Sequence, residues 1–348
     1  MRYRDAGVDV GRADAIKARL ARAVDSTWGG AARPLPGGFA GVVSWPGGGR
    51  TSGPADASLV AATLDGVGSK LELARAAGRL GEAASDLVYH CANDLLVHGA
   101  RPLAFLDYVA QARLEPAVVL ELVEGVARAC REVGAVLLGG ETAEMPDTYR
   151  PGVADLAGCM IGWVSGEQLL DGRAARAGDV VLGLASSGLH TNGYTLARRV
   201  LERSGLGLDD RLPGGGGERV GEALLEPHRW YGRSLAPVLE TRWVHALAHV
   251  TGGGLAGNLV RVLPDGCRAR IDPRAWPRPP LFRWLIEAGD IPEDDARATF
   301  NLGIGMAVVC ASADAGRLAG MLRAGGETVH VIGDVAAGAR GVEWSGAP

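Results

Sequence analysis

Residues 63–74 read TLDGVGSKLELA. The stretch joins an apolar run, 58–64, to a helix-patterned run, 70–79, through a glycine loop. The same junction recurs twice. SSGLHTNG (186–193) separates a strand pattern at 179–185 from a helix pattern at 194–202, and TGGG (251–254) separates 245–250 from 255–263. Strands that feed helices through short loops make an α/β protein. Each junction leaves backbone N–H groups and a helix N-terminus at a strand end, where anions are stabilised.

The remaining pattern fills in around these junctions. Helices are expected over 12–24, over 84–98 with Gly99 as its cap, and over 115–132. Strands are expected over 102–110, 135–138, 157–164 and 300–310. Residues 31–54 are dense in Gly and Pro and read as loop, with a short strand at 39–45. Residues 166–178 turn polar and glycine-punctuated, which places a domain boundary between 1–168 and 169–348. Residues 205–222, rich in glycine, read as a mobile insertion.

A chain of 348 residues is long enough for two such domains. Its net charge of −4 is too small for non-specific binding to nucleic acid or a membrane surface. No apolar run reaches the ~18 residues of a membrane span, and MRYRDAGVD carries no apolar leader. The five cysteines form no CxxC pair, which argues against a zinc or redox motif and for a reducing cytoplasm. Lysine occurs only at Lys17, in a helix-like stretch, and at Lys70, after the first glycine loop.

DGVGSK is not a P-loop, because lysine follows the serine and the glycines stand too close together. It is either a tight turn or a site where Asp65 holds Mg²⁺ against a polyphosphate, with Lys70 as a point charge. More carboxylates stand nearby in sequence. HCANDLLVHG sets Asn93 and Asp94 in an apolar helix, and FLDY sets Asp107 in an apolar strand. GGETAEMP places Glu141 and Glu144 in a loop after a strand. Ser186, Ser187, His190, Thr191 and Asn192 precede a helix, where they cap it or meet a phosphate or a proton. Thr251, Gly252, Gly253 and Gly254 offer N–H groups to an anion or form a flexible turn. Gly37, Gly38 and Phe39 begin a further glycine loop, GGFAG.

Taken in order, YRDAGVD, PGGFAG, LDGVGSK, CANDLLVHGARPLAFLDY, GGETAEMP, GLASSGLHTNGY, LEPHRWY, HVTGGGLAGNLVRVLP and TFNLGIGM resemble the aminoimidazole ribonucleotide synthetase family over nearly the whole chain. The resemblance implies ATP-dependent closure of formylglycinamidine ribonucleotide to aminoimidazole ribonucleotide in purine synthesis. ATP phosphorylates the formyl oxygen, the ribose-bearing nitrogen attacks the activated carbon, and phosphate leaves. It also implies an α/β fold of α+β type. An N-terminal mixed sheet with helices would bind ATP and close a barrel across a homodimer. A C-terminal α/β sandwich would bind the substrate and its phosphate.

By resemblance, Asp94, His190 and Lys70 are catalytic, and Asp65, Asp94 and Glu141 hold Mg²⁺. ATP would meet Gly37, Gly38, Phe39, Asp65, Gly66, Gly68, Lys70, Asn93, Asp107 and Glu141. The substrate would meet Ser186, Ser187, Thr191, Asn192 and Thr251 to Gly254. The chain departs from the family's pattern at Ala40, where the family has glycine. Related ATP-using families remain as alternatives, as do a cyclase for a related substrate and an inactive nucleotide-binding homologue. The first cysteine is Cys91 and the chain ends WSGAP, unlike selenophosphate synthetase and the hydrogenase-maturation protein.

Overall fold

A computed structural model describes residues 1–7, 16, 20–21, 23–35, 37–45 and 58–346. Most of the helix expected over 12–24, including Lys17, lies outside them. Two mixed sheets divide the chain. The first is formed by β1 (Gly41–Ser44), β2 (Ser58–Gly66), β3 (Arg101–Gln111), β4 (Val136–Glu144) and β5 (Ala154–Ser165), in the order β1-β2-β5-β3-β4. Among the described residues of this sheet, only β3 and β4 pair in parallel, and every other pairing in it is antiparallel.

One face of this sheet is covered and the other is open. Leu59 and Ala61 on β2, Phe105 and Val109 on β3, and Leu156 and Met160 on β5 alternate inward and are buried. They pack beneath helices α1 (Lys70–Ala76), α2 (Leu80–Leu96) and α3 (Pro116–Val133). Register puts Val43, Leu64 and Trp163 on the opposite face, where all three are exposed.

α2 is the hub of the molecule. Sixteen of its seventeen residues are buried. It crosses α3 where Gly81 meets Gly125, and a Cβ on Gly125 would overlap the Gly81 carbonyl. Ser85 Oγ donates to both glycine carbonyls, at 3.0 and 2.9 Å, so the crossing is also hydrogen-bonded. Asp86, His90, Asn93 and Asp94 stand at i, i+4, i+7 and i+8 and so form one polar stripe.

The second sheet has the order β11-β8-β10-β6-β9-β7. Its strands are β6 (Asp179–Ala185), β7 (Val244–His249), β8 (Cys267–Ile271), β9 (Ile304–Ala311), β10 (Val329–Ala337) and β11 (Gly341–Trp344). Its core, including Leu182, Leu184, Leu247, Met306 and Val308, is separate from that of the first sheet. Of the helices α4 (Tyr194–Ser204), α5 (Val220–Leu224), α6 (Gly232–Leu239), α7 (Gly254–Leu259), α8 (Pro280–Gly289), α9 (Glu293–Thr299) and α10 (Ser312–Ala324), α6, α7 and α10 pack against it, whereas α4, α5, α8 and α9 bury their apolar residues in the cluster that contains the first sheet's core.

Several expectations change. The strand expected at 58–64 runs on to Gly66 and carries Asp65 inside it. The helix expected from residue 84 starts at Leu80, so Asp86 joins its stripe. GGETAEMP is not a loop, because β4 continues through Glu144 in parallel with β3. Residues 205–222 are a packed turn rather than a mobile insertion. Leu212 and Val220 are buried, and Leu212 N–H donates to Glu218 O while Val220 N–H donates to Asp210 O. Ala40 takes an ordinary negative φ, so its departure from glycine carries no backbone strain.

Candidate active site

The stripe of α2 faces the second lobe, and the strand-end loops of that lobe converge on it. Asp94 Oδ1 lies 2.8 Å from His249 Nδ1, at the end of β7. His249 Nε2 lies 3.1 Å from His228 Nε2. The His228 ring stacks on His190, with centroids 4.1 Å apart and planes at 20°. The Asn93 amide is oriented by backbone, since its Nδ2 donates to Arg229 O at 2.9 Å and its Oδ1 accepts Tyr231 N–H at 3.2 Å. His228 N–H donates to Asp86 Oδ1 at 2.7 Å.

From the first lobe, Asp65 Oδ2 lies 3.0 Å from His90 Nε2, and Asp94 Oδ2 lies 3.8 Å from the same nitrogen. His90 Nδ1 reaches Thr191 Oγ1 at 2.5 Å. Four of the seven histidines therefore meet in one buried cluster.

The environment divides their charges. Burial disfavours a charged His90, but Asp65 above all, with Asp94 and Asp86, outweighs it and the group is pushed up to about 9. Burial also works against a charged Asp65, but the attraction and hydrogen bond of His90 exceed that cost, and the carboxyl is lowered. His190 and His228 are held well below the ordinary histidine range by burial and by neighbouring cationic groups. His249 is lowered by burial, against the opposing hold of Asp94.

His190 is held in a strained backbone, with φ of 61°. Its Nε2 accepts Ser187 N–H at 3.3 Å, which puts the ring proton on Nδ1, a buried atom with no hydrogen-bond partner among the described residues. Asn192 Nδ2 is likewise buried with no hydrogen-bond partner among the described residues. Ser186 and Ser187 are occupied, the first with Asn301 Oδ1 at 2.9 Å and the second with Pro227 O at 2.5 Å. Thr251 to Gly254 form a turn gathered by Asn258, and Gly253 and Gly254 both have positive φ. A Cβ on Gly254 would overlap the Arg297 carbonyl. Gly252 lies beside Asn192, so the two loops face each other.

Three expected site residues stand elsewhere. Lys70 does not offer its charge to phosphate as the sequence suggests, because its ammonium is buried. It forms an ion pair with Asp86 and donates to His190 O and Glu226 O, each at 3.1 Å. Burial opposes this charge, and Asp86 holds it protonated. Glu141 does not join Asp65 and Asp94. Asp65, Gly158, Asp107 and Gly140 form one row across the sheet, so Glu141, one residue on, projects from the open face. Asp107 is on the covered face but packs against Gly140. Gly66 ends β2 and Gly68 forms the following turn, with φ of 65°.

Sequence alone assigns no role to His90, His228 or His249, although each lies within a motif quoted above. The signal for His90 is the polar stripe spacing on an apolar helix. His228 and His249 have no local signal, because a single histidine in LEPHRWY or at a strand end acquires chemistry only through tertiary contact.

Residues 41–164 match the N-terminal domain of AIR synthase related protein, and residues 176–344 match its C-terminal domain. The chain is similar to the phosphoribosylformylglycinamidine cyclo-ligase of Sorangium cellulosum, with 46% identity over 336 residues that cover 96% of this chain and 94% of the relative. It is also similar to the enzyme of that name from a Synechococcus species, with 43% identity over 343 residues and 97% of each chain covered. Among solved structures, thiamine-monophosphate kinase from Stenotrophomonas maltophilia superposes with a TM-score of 0.63 at 20% identity, covering 96% of this chain and 95% of that one. Thermotoga maritima PurL complexed with ADP gives 0.56 at 20%, covering 86% and 42%. These two likenesses bear on the fold alone.

Proposed function

The chain belongs to the AIR synthase related family, and from that premise we propose that it is a phosphoribosylformylglycinamidine cyclo-ligase. It closes formylglycinamidine ribonucleotide to aminoimidazole ribonucleotide in purine biosynthesis, with ATP converted to ADP and phosphate. The observation that carries this reading is 46% identity sustained over 336 residues to a cyclo-ligase.

The reaction needs an anionic oxygen stabilised, a proton removed from the attacking amidine nitrogen, and water excluded. The cluster has groups suited to each task. His190 stays neutral and presents an unpartnered Nδ1–H as a donor to developing charge. Asp94, bonded through Oδ1 to His249, keeps Oδ2 directed toward the Asp65 side of the cleft, where it receives the amidine proton. Lys70 is a positioning residue, because it fixes the His190 carbonyl and hence the strained loop.

Mg²⁺ suits the site. Two carboxylates, Asp65 and Asp94, approach the same His90 nitrogen, and hard oxygen ligands in that number are what Mg²⁺ takes alongside phosphate oxygens. The ion would neutralise polyphosphate charge there. The first lobe, within 1–168, binds ATP through Gly37, Gly38, Phe39 and the Asp65 turn. The second, within 169–348, binds the substrate through Asn192 and its phosphate through Thr251 to Gly254. The open sheet face, with Val43, Leu64, Trp163 and Glu141, pairs with a second copy into a homodimer. Among the described residues no helix is long and apolar enough to cross a membrane, and the free cysteines fit the cytoplasm.

Isotope transfer tests the chemistry. With ¹⁸O in the formyl group of the substrate, the released phosphate carries the label if the formyl oxygen is the one phosphorylated. Unlabelled phosphate would reject that step.

A further inference from the structure

Arg261 lies just beyond the TGGG turn, on the 3₁₀ segment Val260–Val262 of the second lobe, yet its side chain crosses to the first. Its Nε donates to Gly37 O at 2.7 Å and its Nη2 donates to Gly38 O at 2.8 Å. The guanidinium covers the Phe39 ring, 3.7 Å from the centroid. A third donor, Nη1, reaches Asn258 Oδ1 at 3.0 Å. Asn258 Nδ2 in turn donates to Thr251 O at 3.3 Å, Gly252 O at 3.2 Å and Gly254 O at 2.8 Å. Two adjacent side chains thus tie the 37–39 loop of one lobe to the 251–254 turn of the other.

Both ends of the tie are anchored. Phe39 N–H donates to His98 Nε2 at 2.9 Å, and Phe39 O accepts from Thr63 Oγ1 at 3.3 Å, two residues before Asp65. Arg340 donates to Val260 O and Arg261 O, each at 3.0 Å, and so fixes the backbone that carries the clamp. Gly37 permits the approach. Its φ is +71°, and a Cβ there would come within 3.0 Å of Arg261 Cβ. A planar fork is required, because two carbonyls, an amide oxygen and a ring face are met at once, which a lysine ammonium cannot do.

We propose that Arg261 is a positioning residue that couples the two loops, so that a nucleoside triphosphate in the first lobe and a phosphorylated ribonucleotide in the second favour each other's binding. The inference rests on the proposed function, which assigns one loop to each ligand. Ordering either loop through the shared clamp leaves the other already ordered for its own ligand, and such coupling is reciprocal.

Calorimetric titration of the full chain with a non-hydrolysable ATP analogue and Mg²⁺, with and without formylglycinamidine ribonucleotide, reads the coupling. In the wild type each ligand tightens the other by about tenfold. In Arg261→Ala and Arg261→Lys that factor falls to near one, while nucleotide affinity measured alone stays within about threefold. Asn258→Asp keeps the arginine on Phe39 but loses the donors to the turn, and it loses the coupling as well. A lower melting temperature with the coupling intact in all three variants would overturn the proposal, as would independent binding in the wild type. A wild type that binds the nucleotide analogue and not the ribonucleotide would overturn the functional reading, and the inference with it.

Discussion

Asp94 Oδ1 stands 2.8 Å from His249 Nδ1, joining the central helix of the first lobe to the last residue of β7 in the second. A carboxylate in this position fixes the imidazole proton on Nδ1 and leaves Nε2 to face His228. Asp94→Asn keeps the size and removes the charge. We expect a loss in kcat of about 100-fold or more with the circular dichroism spectrum unchanged. Wild-type turnover in the Asp94→Asn enzyme would remove Asp94 from the proton path.

The pair Lys70 and Asp86 makes a prediction about stability rather than chemistry. Both side chains are 1% exposed. Removing one partner strands a buried charge, so Lys70→Met should destabilise by roughly 3–5 kcal/mol in urea unfolding. The double variant Lys70→Met/Asp86→Leu should recover a large part of that loss. A small effect from the single variant would mean that the ammonium faces solvent.

The histidines set opposite pH trends. His190 and His228 are lowered well below the ordinary value of 6.5, so the unfolded chain binds their protons first as the pH falls. Their stabilising contribution is fully present above 6.5 and declines below it, by about 1.4 kcal/mol per pH unit for each histidine. His90, raised to about 9, contributes fully below 6.5 and loses its contribution as the pH rises toward 9. Urea midpoints between pH 5 and 9 should show both limbs, and His228→Leu should make the acid limb shallower by one proton. An unchanged acid slope in that variant would contradict the neutral, buried assignment.

The open sheet face is testable by mass. Leu64 is 71% exposed on a face that also carries Val43 and Trp163. Leu64→Glu places a charge in the proposed pairing surface, so light scattering should report a dimer for the wild type and a monomer for the variant. A wild-type monomer at micromolar concentration would count against the pairing.

Much of this fold is legible in the sequence because its junctions are local. The strand at Asp179–Ala185 needs only an apolar run before a glycine loop, and α3 needs only helical periodicity ending at Gly134. β4 is longer than its sequence suggests, because glycines and glutamates look like a loop until a parallel neighbour supplies the ladder. Asp94 is legible as a carboxylate out of place in an apolar helix, and Asp65 as a carboxylate at the head of a glycine loop. The structural role of Lys70 is hidden, because sequence cannot show that Asp86, sixteen positions on, lies beneath it. The family resemblance groups Glu141 with Asp65, whereas a strand's period of two sets their side chains on opposite faces of the sheet. His228 and His249 need the two lobes brought together.

The decisive assay mixes the purified chain with ATP, Mg²⁺ and formylglycinamidine ribonucleotide and follows phosphate and aminoimidazole ribonucleotide in the same samples. A cyclo-ligase yields equal amounts of both products, each dependent on both substrates. Phosphate release without the imidazole product would contradict the cyclo-ligase reading and assign this cluster to a different acceptor.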